Sequence, residues 1–275
     1  MNTIPSQLYY IKFGGSLITN KHEECTANLD VIDHLSSELA VYVNNNPHQN
    51  IILGHGAGSF GHIQAIKNQI SGKINNQSTW NGALEVAKAV SSLTRLLELR
   101  LIHAGLKVVT YHPSSTAQCD SGRLLHMSTS PIFTALKQNA IPLIHGDICF
   151  DKKYGASIIS TEEIFKYLST LLPPDKIYLA GIDQGVYSSY PHGTLVQSIS
   201  STYNISLNNI SESTSPDITG GMESKVKFMQ NIIKRNPSIS AYIFSAKHPG
   251  ELTSALDPQQ NPGTVICQQN DMRIT

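Results

Sequence analysis

An α/β protein organised around a largely parallel sheet is what this 275-residue sequence predicts, on two observations. Short apolar runs alternate with longer segments of helical period, the pattern of βαβ units. Several runs are too uniformly apolar for a half-exposed face, as expected where helices cover both sides of a sheet. Strands are predicted over 8–13, 50–53, 107–111, 141–144, 176–180 and 241–244, and helices over 29–44, 59–69, 81–104, 130–138, 162–170 and 222–234. The helix over 81–104 is the clearest, because Leu84, Val86, Ala87, Val90, Leu93, Leu96, Leu97, Leu99 and Leu101 supply a broad apolar face. Its leucines read as core. The polar stretch 75–81 reads as a loop, and the Ser-, Asn- and Thr-rich stretch 190–215 as excursions beyond the sheet.

Composition narrows the function. Hydrophobic residues make up 40% and charged ones 15%, and 20 basic side chains cancel 20 acidic ones. A nucleic-acid coat, a polybasic membrane binder and a disordered acidic tail are disfavoured by that balance. No apolar run approaches the roughly 18 to 20 residues of a membrane helix, and the start lacks the pattern of an export signal. Cys25, Cys119, Cys149 and Cys267 form no CxxC pair, so neither a disulfide framework nor a zinc ribbon is suggested, and a reducing cytoplasm is the expected setting.

Four segments carry chemistry. Lys12-Phe13-Gly14-Gly15-Ser16 ends the first predicted strand; its glycines allow a turn whose N–H groups approach an anion, and the lysine adds positive charge. A strand-end lysine beside an ordinary turn is the bland alternative, set against the need of a lysine in an apolar strand for a partner. Lys21 lies near enough to fold back to the same place. His55-Gly56-Ala57-Gly58-Ser59-Phe60-Gly61-His62 follows the second strand and satisfies GxGxxG, but the acid expected about 20 residues on in a dinucleotide fold is missing. What remains is a glycine-rich strand-to-helix turn, a natural anion site. Within it His62 is better placed for function than His55, which stands between a structural and a functional role.

In the third segment, Ile144-His145-Gly146-Asp147, Asp147 at a strand end either caps a turn or meets a ligand. The fourth, Asp217 to Lys225, places Thr219-Gly220-Gly221 at the opening of a helix with Lys225 about one turn inside. Neither the GxxxxGK[ST] loop nor the HRD and DFG signatures of protein kinases occur.

In this order the motifs resemble the amino acid kinase superfamily and, within it, the isopentenyl phosphate kinases. The resemblance is carried by Lys12-x-Gly-Gly-Ser with Lys21, Gly56-Ala-Gly-Ser-Phe-Gly-His62, Pro113-Ser-Ser115, His145-Gly-Asp147 with Phe150-Asp151, Ile158-Ile-Ser160, and Asp217-Ile-Thr-Gly-Gly-Met222 with Lys225. It implies a three-layer αβα sandwich around an open, mainly parallel twisted sheet, with an acceptor-binding lobe over 1–172 and a nucleotide-binding lobe over 173–275. It also implies ATP with Mg²⁺, transfer to isopentenyl phosphate, and a homodimer. Lys12 and Lys21 would neutralise the transferring phosphoryl group, with Asp147 orienting the lysines. Gly14, Gly15, Ser16, Asp183, Gly220, Gly221 and Lys225 would meet the nucleotide. Gly56, Ala57, Gly58, Gly61, Gly146 and His62 would meet the acceptor, His62 gripping its phosphate.

The chain departs from the family pattern at Ile182-Asp183-Gln184-Gly185, at Ala57, and at Thr161-Glu162, where relatives have Gly-Asp and the carboxylate is one methylene shorter. A fosfomycin-type phosphonate kinase resembles the chain at the same lysines and histidine. A nucleotide-binding sensor of the same fold without turnover is a further alternative.

Overall fold

The computed structural model describes residues 7–70, 73–189, 193–202, 221–260 and 262–268. The chain runs β1 (Leu8–Phe13), α1 (Gly15–Ile18), α2 (Leu29–Asn45), β2 (Asn50–His55), α3 (Gly58–Lys67), β3 (Lys73–Ile74), α4 (Gln77–His103), β4 (Val108–Tyr111) and α5 (Pro113–Thr116). It continues through β5 (Ala117–Asp120), β6 (Arg123–Met127), α6 (Ser130–Lys137), β7 (Ile141–His145), β8 (Asp147–Asp151), β9 (Gly155–Ile159) and α7 (Thr161–Leu168). The last part comprises β10 (Lys176–Gly181), β11 (Ser198–Ser200), α8 (Gly221–Arg235), β12 (Ser240–Ser245), α9 (Glu251–Leu256) and β13 (Thr264–Cys267).

Among the described residues the main sheet has the order β11-β13-β12-β10-β1-β2-β7-β4. Every pairing in it is parallel except β12 with β13. Strand alternation explains the uniform apolarity of its strands. On β1, Leu8 and Tyr10 enter one core with α6, α7 and α8, whereas Ile11 and Phe13 enter a second core with α2, α4 and α9. On β12, Ala241 and Ile243 take the first side and Tyr242 and Phe244 the second. Helices on both faces leave no solvent side for polar residues to mark, which is the predicted three-layer arrangement. Lys12 shares its face with Tyr10, so a lysine enters the layer between sheet and α7.

All six predicted strands and all six predicted helices are present, with ends shifted by a few residues. Two stretches differ from expectation. Within 75–81, residues 77–81 are the start of α4 rather than a loop, with Asn76 as N-cap: the Thr79 N–H donates to Asn76 Oδ1 at 3.0 Å and the Asn76 N–H to Thr79 Oγ1 at 3.2 Å. A capping box is polar by nature, so hydropathy alone places the helix start too late. Within 190–215, β11 is no excursion but pairs with β13 at the sheet edge; residues 190–192 and 203–215 lie outside the described residues.

The small sheet β3-β9-β8-β5-β6 was not predicted. Its strands are short, and β5 and β6 carry exposed polar residues, so apolar patterning gives them little signal. It is tied together at Asp151, which accepts hydrogen bonds from the N–H groups of Ser121 (3.2 Å), Gly122 (2.7 Å), Lys153 (2.8 Å) and Tyr154 (2.9 Å) and from the Ser157 hydroxyl (2.8 Å). Burial raises the Asp151 pKa, but the bonds from Gly122, Tyr154, Ser157 and Lys153 outweigh it and hold the carboxyl at about 2.

A depressed carboxylate stabilises the fold fully above its ordinary pKa and loses that contribution as pH falls through the folded value. Asp151→Asn is therefore expected to lower the urea midpoint at neutral pH. It should also flatten the loss of stability that the wild type shows between about pH 4 and pH 2. Urea titrations of both proteins across that range check both points.

Candidate functional site

Two glycine turns meet backbone to backbone at the carboxyl edge of the central strands. A Cβ on Gly15 would lie 2.3 Å from the Gly58 nitrogen, and one on Gly56 would lie 2.5 Å from the Gly15 nitrogen. Side chains at either position would force the β1–α1 and β2–α3 turns apart. Thr19 joins them: its hydroxyl donates to the Gly15 carbonyl at 2.7 Å, and the Ser59 N–H donates to Thr19 Oγ1 at 3.0 Å. Gly58 takes a φ of +52°, a conformation that favours glycine, and opens α3.

These turns form one wall of a cavity of about 980 Å³. Lys12, Gly14, Gly15, Ser16 and Lys21 reach it from the first turn and the segment after it. Gly56, Ala57, Gly58, Gly61 and His62 reach it from the second. Gly146 and Asp147 line it from the β7–β8 junction, Asp183 from beyond β10, and Gly221 and Lys225 from the start of α8. Every candidate residue but one is thus brought to the same cavity; Gly220 lies outside the described residues. Lys12, Lys21 and His62, which come from separate segments, face the same space.

The carboxylate that engages Lys12 is Glu162, at the first turn of α7, and not Asp147. Both side chains of this ion pair are nearly buried, 10% exposed for Lys12 and 8% for Glu162. Burial raises the Glu162 pKa, but the charge and hydrogen bond of Lys12, joined by the charge of Lys225, outweigh it and hold the carboxyl below the ordinary range. Asp147 instead accepts the backbone N–H of Ser114 at 3.2 Å and of Ile148 at 2.8 Å. Glu162 was visible in the sequence only as a departure from the family pattern. Its extra methylene suits it to reach an ammonium across the layer between α7 and β1.

Behind the glycine turns lies a group of histidines. His55 ends β2 and His145 ends β7, in register, with stacked rings 5.5 Å apart. Burial first, then the charges of His145, Lys12 and His112, lower the His55 pKa to about 3 against the opposing bond to Gly56, so this ring is neutral. Burial also lowers the pKa of His145. His145 Nε2 lies 3.0 Å from His112 Nδ1, and these two rings with Asp147 form the cluster of metal-ligating groups found among the described residues. A nitrogen-rich set of that kind suits a transition metal rather than Mg²⁺, which takes oxygen ligands.

Part of the cavity wall is apolar, with Ala65, Ile66, Ile70, Val86 and Val90 from α3, the segment after it, and α4. The leucines of α4 behave otherwise: Leu93, Leu97 and Leu101 sit in the core against α2, and Leu84 and Leu99 are exposed. Arg123, Lys166 and Arg235 also line the cavity and add positive charge that sequence reading missed. Arg123 follows a hairpin turn that hydropathy does not mark, and Lys166 and Arg235 look in sequence like ordinary residues of solvated helix faces.

Residues 9–245 match the amino acid kinase family. The chain is 31% identical over 256 residues to the isopentenyl phosphate kinase of Methanocaldococcus jannaschii, covering 90% of this chain and 95% of that protein. It is 28% identical over 267 residues to the isopentenyl phosphate kinase of Methanothermobacter thermautotrophicus, covering 93% and 97%. A crystal structure of isopentenyl phosphate kinase superposes with a TM-score of 0.79 at 25% identity, over 94% of this chain and all of that one. With the fold, the paired glycine turns and the buried lysine in place, the chain belongs to the amino acid kinase family and, within it, to the isopentenyl phosphate kinases.

Proposed function

We propose that the protein transfers the γ-phosphoryl group of ATP to isopentenyl phosphate, giving isopentenyl diphosphate and ADP. The observation that carries this reading is the continuity of one cavity from the amines of Lys12 and Lys21 and the imidazole of His62 to an apolar wall. An acceptor bearing a phosphate at one end and a short hydrocarbon at the other fits that division. A small phosphonate leaves the apolar wall uncovered, which sets the fosfomycin-type alternative aside. In this reading residues 1–172 form the acceptor lobe, whose Gly14–Ser16 turn also meets the nucleotide phosphates, residues 173–275 form the nucleotide lobe, and the enzyme works as a cytoplasmic homodimer.

Phosphoryl transfer asks the protein for positioning and charge neutralisation rather than covalent chemistry. A phosphate monoester has its second pKa near about 6, so at neutral pH the attacking oxygen is already largely anionic and needs no general base. His62 donates a hydrogen bond to the acceptor phosphate and holds it facing the nucleotide. Lys12 and Lys21 neutralise the moving group, Lys225 and the turns at Gly14, Gly15, Ser16 and Gly221 hold the nucleotide phosphates, and Asp183 borders them. Gly56, Ala57, Gly58, Gly61 and Gly146 surround the acceptor phosphate. The amines and glycine turns suit a nucleotide triphosphate. Asp183, a carboxylate in the cavity lining, would help hold Mg²⁺, which would supply further charge neutralisation.

Glu162 aims the Lys12 ammonium. Breaking a buried ion pair leaves one charge uncompensated, whereas replacing both partners by apolar groups does not. Glu162→Gln is expected to cost about 3–5 kcal/mol in urea unfolding. The double variant Lys12→Met/Glu162→Met should recover much of that stability while abolishing turnover, a split that unfolding and ADP-release measurements detect together. His62→Ala should lower kcat/KM for the acceptor about 10- to 100-fold, the value of a hydrogen bond to a charged group, and leave ATP affinity unchanged. Equal losses for both substrates in kinetics and calorimetry would contradict the role given to His62.

The function itself is tested by ADP release with isopentenyl phosphate, dimethylallyl phosphate and fosfomycin in parallel. Turnover of isopentenyl phosphate is expected. Activity with fosfomycin alone would refute the proposal, and ATP binding without any turnover would point to a sensor.

A further inference from the structure

We propose that His55 is a positioning residue for phosphoryl transfer, turning the Gly56–Ala57 peptide so that the Ala57 N–H faces the acceptor phosphate. The inference rests on the functional reading above. It starts from the hydrogen-bond partners of a buried ring. His55 Nδ1 lies 3.1 Å from the Gly56 carbonyl oxygen, and a carbonyl only accepts, so Nδ1 carries the hydrogen. Nε2 is then the accepting nitrogen, 3.0 Å from Thr94 Oγ1 on α4, a hydroxyl whose single proton is shared with the Val90 carbonyl 2.8 Å away. The imidazole is fully buried, and its main-chain carbonyl accepts the Thr161 hydroxyl at 2.6 Å. Ring and backbone of His55 are therefore both pinned, the latter to the residue preceding Glu162, which holds Lys12.

A trans peptide points its carbonyl and its N–H in opposite directions. Drawing the Gly56 carbonyl toward a buried ring accordingly turns the next N–H, that of Ala57, away from the ring and toward the cavity that Gly56 and Ala57 line. The device is repeated one strand over, where His145 Nδ1 donates to the Gly146 carbonyl at 2.9 Å, at another His-Gly step beside the same cavity. A backbone donor fixed in advance toward developing negative charge costs no reorganisation when the phosphoryl group moves. His55 touches no substrate in this scheme and acts through the peptide that it orients.

Two substitutions separate this role from packing. Asparagine places an amide where Nδ1 stood and can still donate to the Gly56 carbonyl; glutamine places its amide nearer Nε2 and keeps only the Thr94 side. His55→Gln is expected to lower kcat/KM for isopentenyl phosphate about 10-fold or more, with KM for ATP within about twofold of wild type. His55→Asn should restore most of that loss although both variants melt at similar temperatures. A glutamine variant as active as the asparagine variant, or losses that follow melting temperature and affect both substrates alike, would overturn the assignment. A wild-type protein with no turnover of isopentenyl phosphate would instead sink the functional reading, and this inference with it.

Discussion

A buried ammonium and a buried carboxylate, Lys12 and Glu162, set the terms on which the rest of this molecule is built. Taking either charge out of water alone is costly, and the two tolerate the layer between β1 and α7 only because each satisfies the other. Their pairing fixes α7 against the central strand, holds the amine at the cavity wall, and leaves Glu162 under the added influence of Lys225 from α8. Helices from both halves of the sequence are thus held around one carboxylate.

The second constraint is steric. The β1–α1 and β2–α3 turns approach so closely that Gly15 and Gly56 leave no room for a Cβ, and Thr19 is bonded to both sides of the junction. That approach concentrates backbone donors at one sheet edge. In parallel α/β sheets the carboxyl ends of the strands open onto such an edge, where ligands gather. Cationic side chains and backbone N–H groups then act together on a polyanion. Val86 and Val90 on α4 add an apolar stripe to the same cavity.

The small sheet and the histidine group behind the turns belong to a supporting shell. Asp151 gathers donors from two turns into one carboxylate. The stacked pair His55 and His145 replaces solvent behind the glycine turns with groups whose hydrogen-bond directions are set. Burial lowers the pKa of both rings, that of His55 to about 3, so no positive charge sits on His55 next to Lys12.

The main strands and helices were legible in the sequence because a strand buried on both faces has no choice but to be apolar, and a glycine turn between strand and helix announces itself by composition. Lys12, Lys21, His62 and Lys225 were legible for the same reason, standing beside such turns. The capping box at Asn76, the short strands of the second sheet and the cations Arg123, Lys166 and Arg235 were not, since each looks polar and local in one dimension. The partner of Lys12 was the decisive case: the family resemblance pointed to Asp147, whereas the ion pair forms with Glu162, which the sequence marked only as a departure from the family pattern. Local chemistry determined which groups need a partner, and only the packing of α7 onto β1 decided which partner each receives, because that distance depends on elements about 150 residues apart.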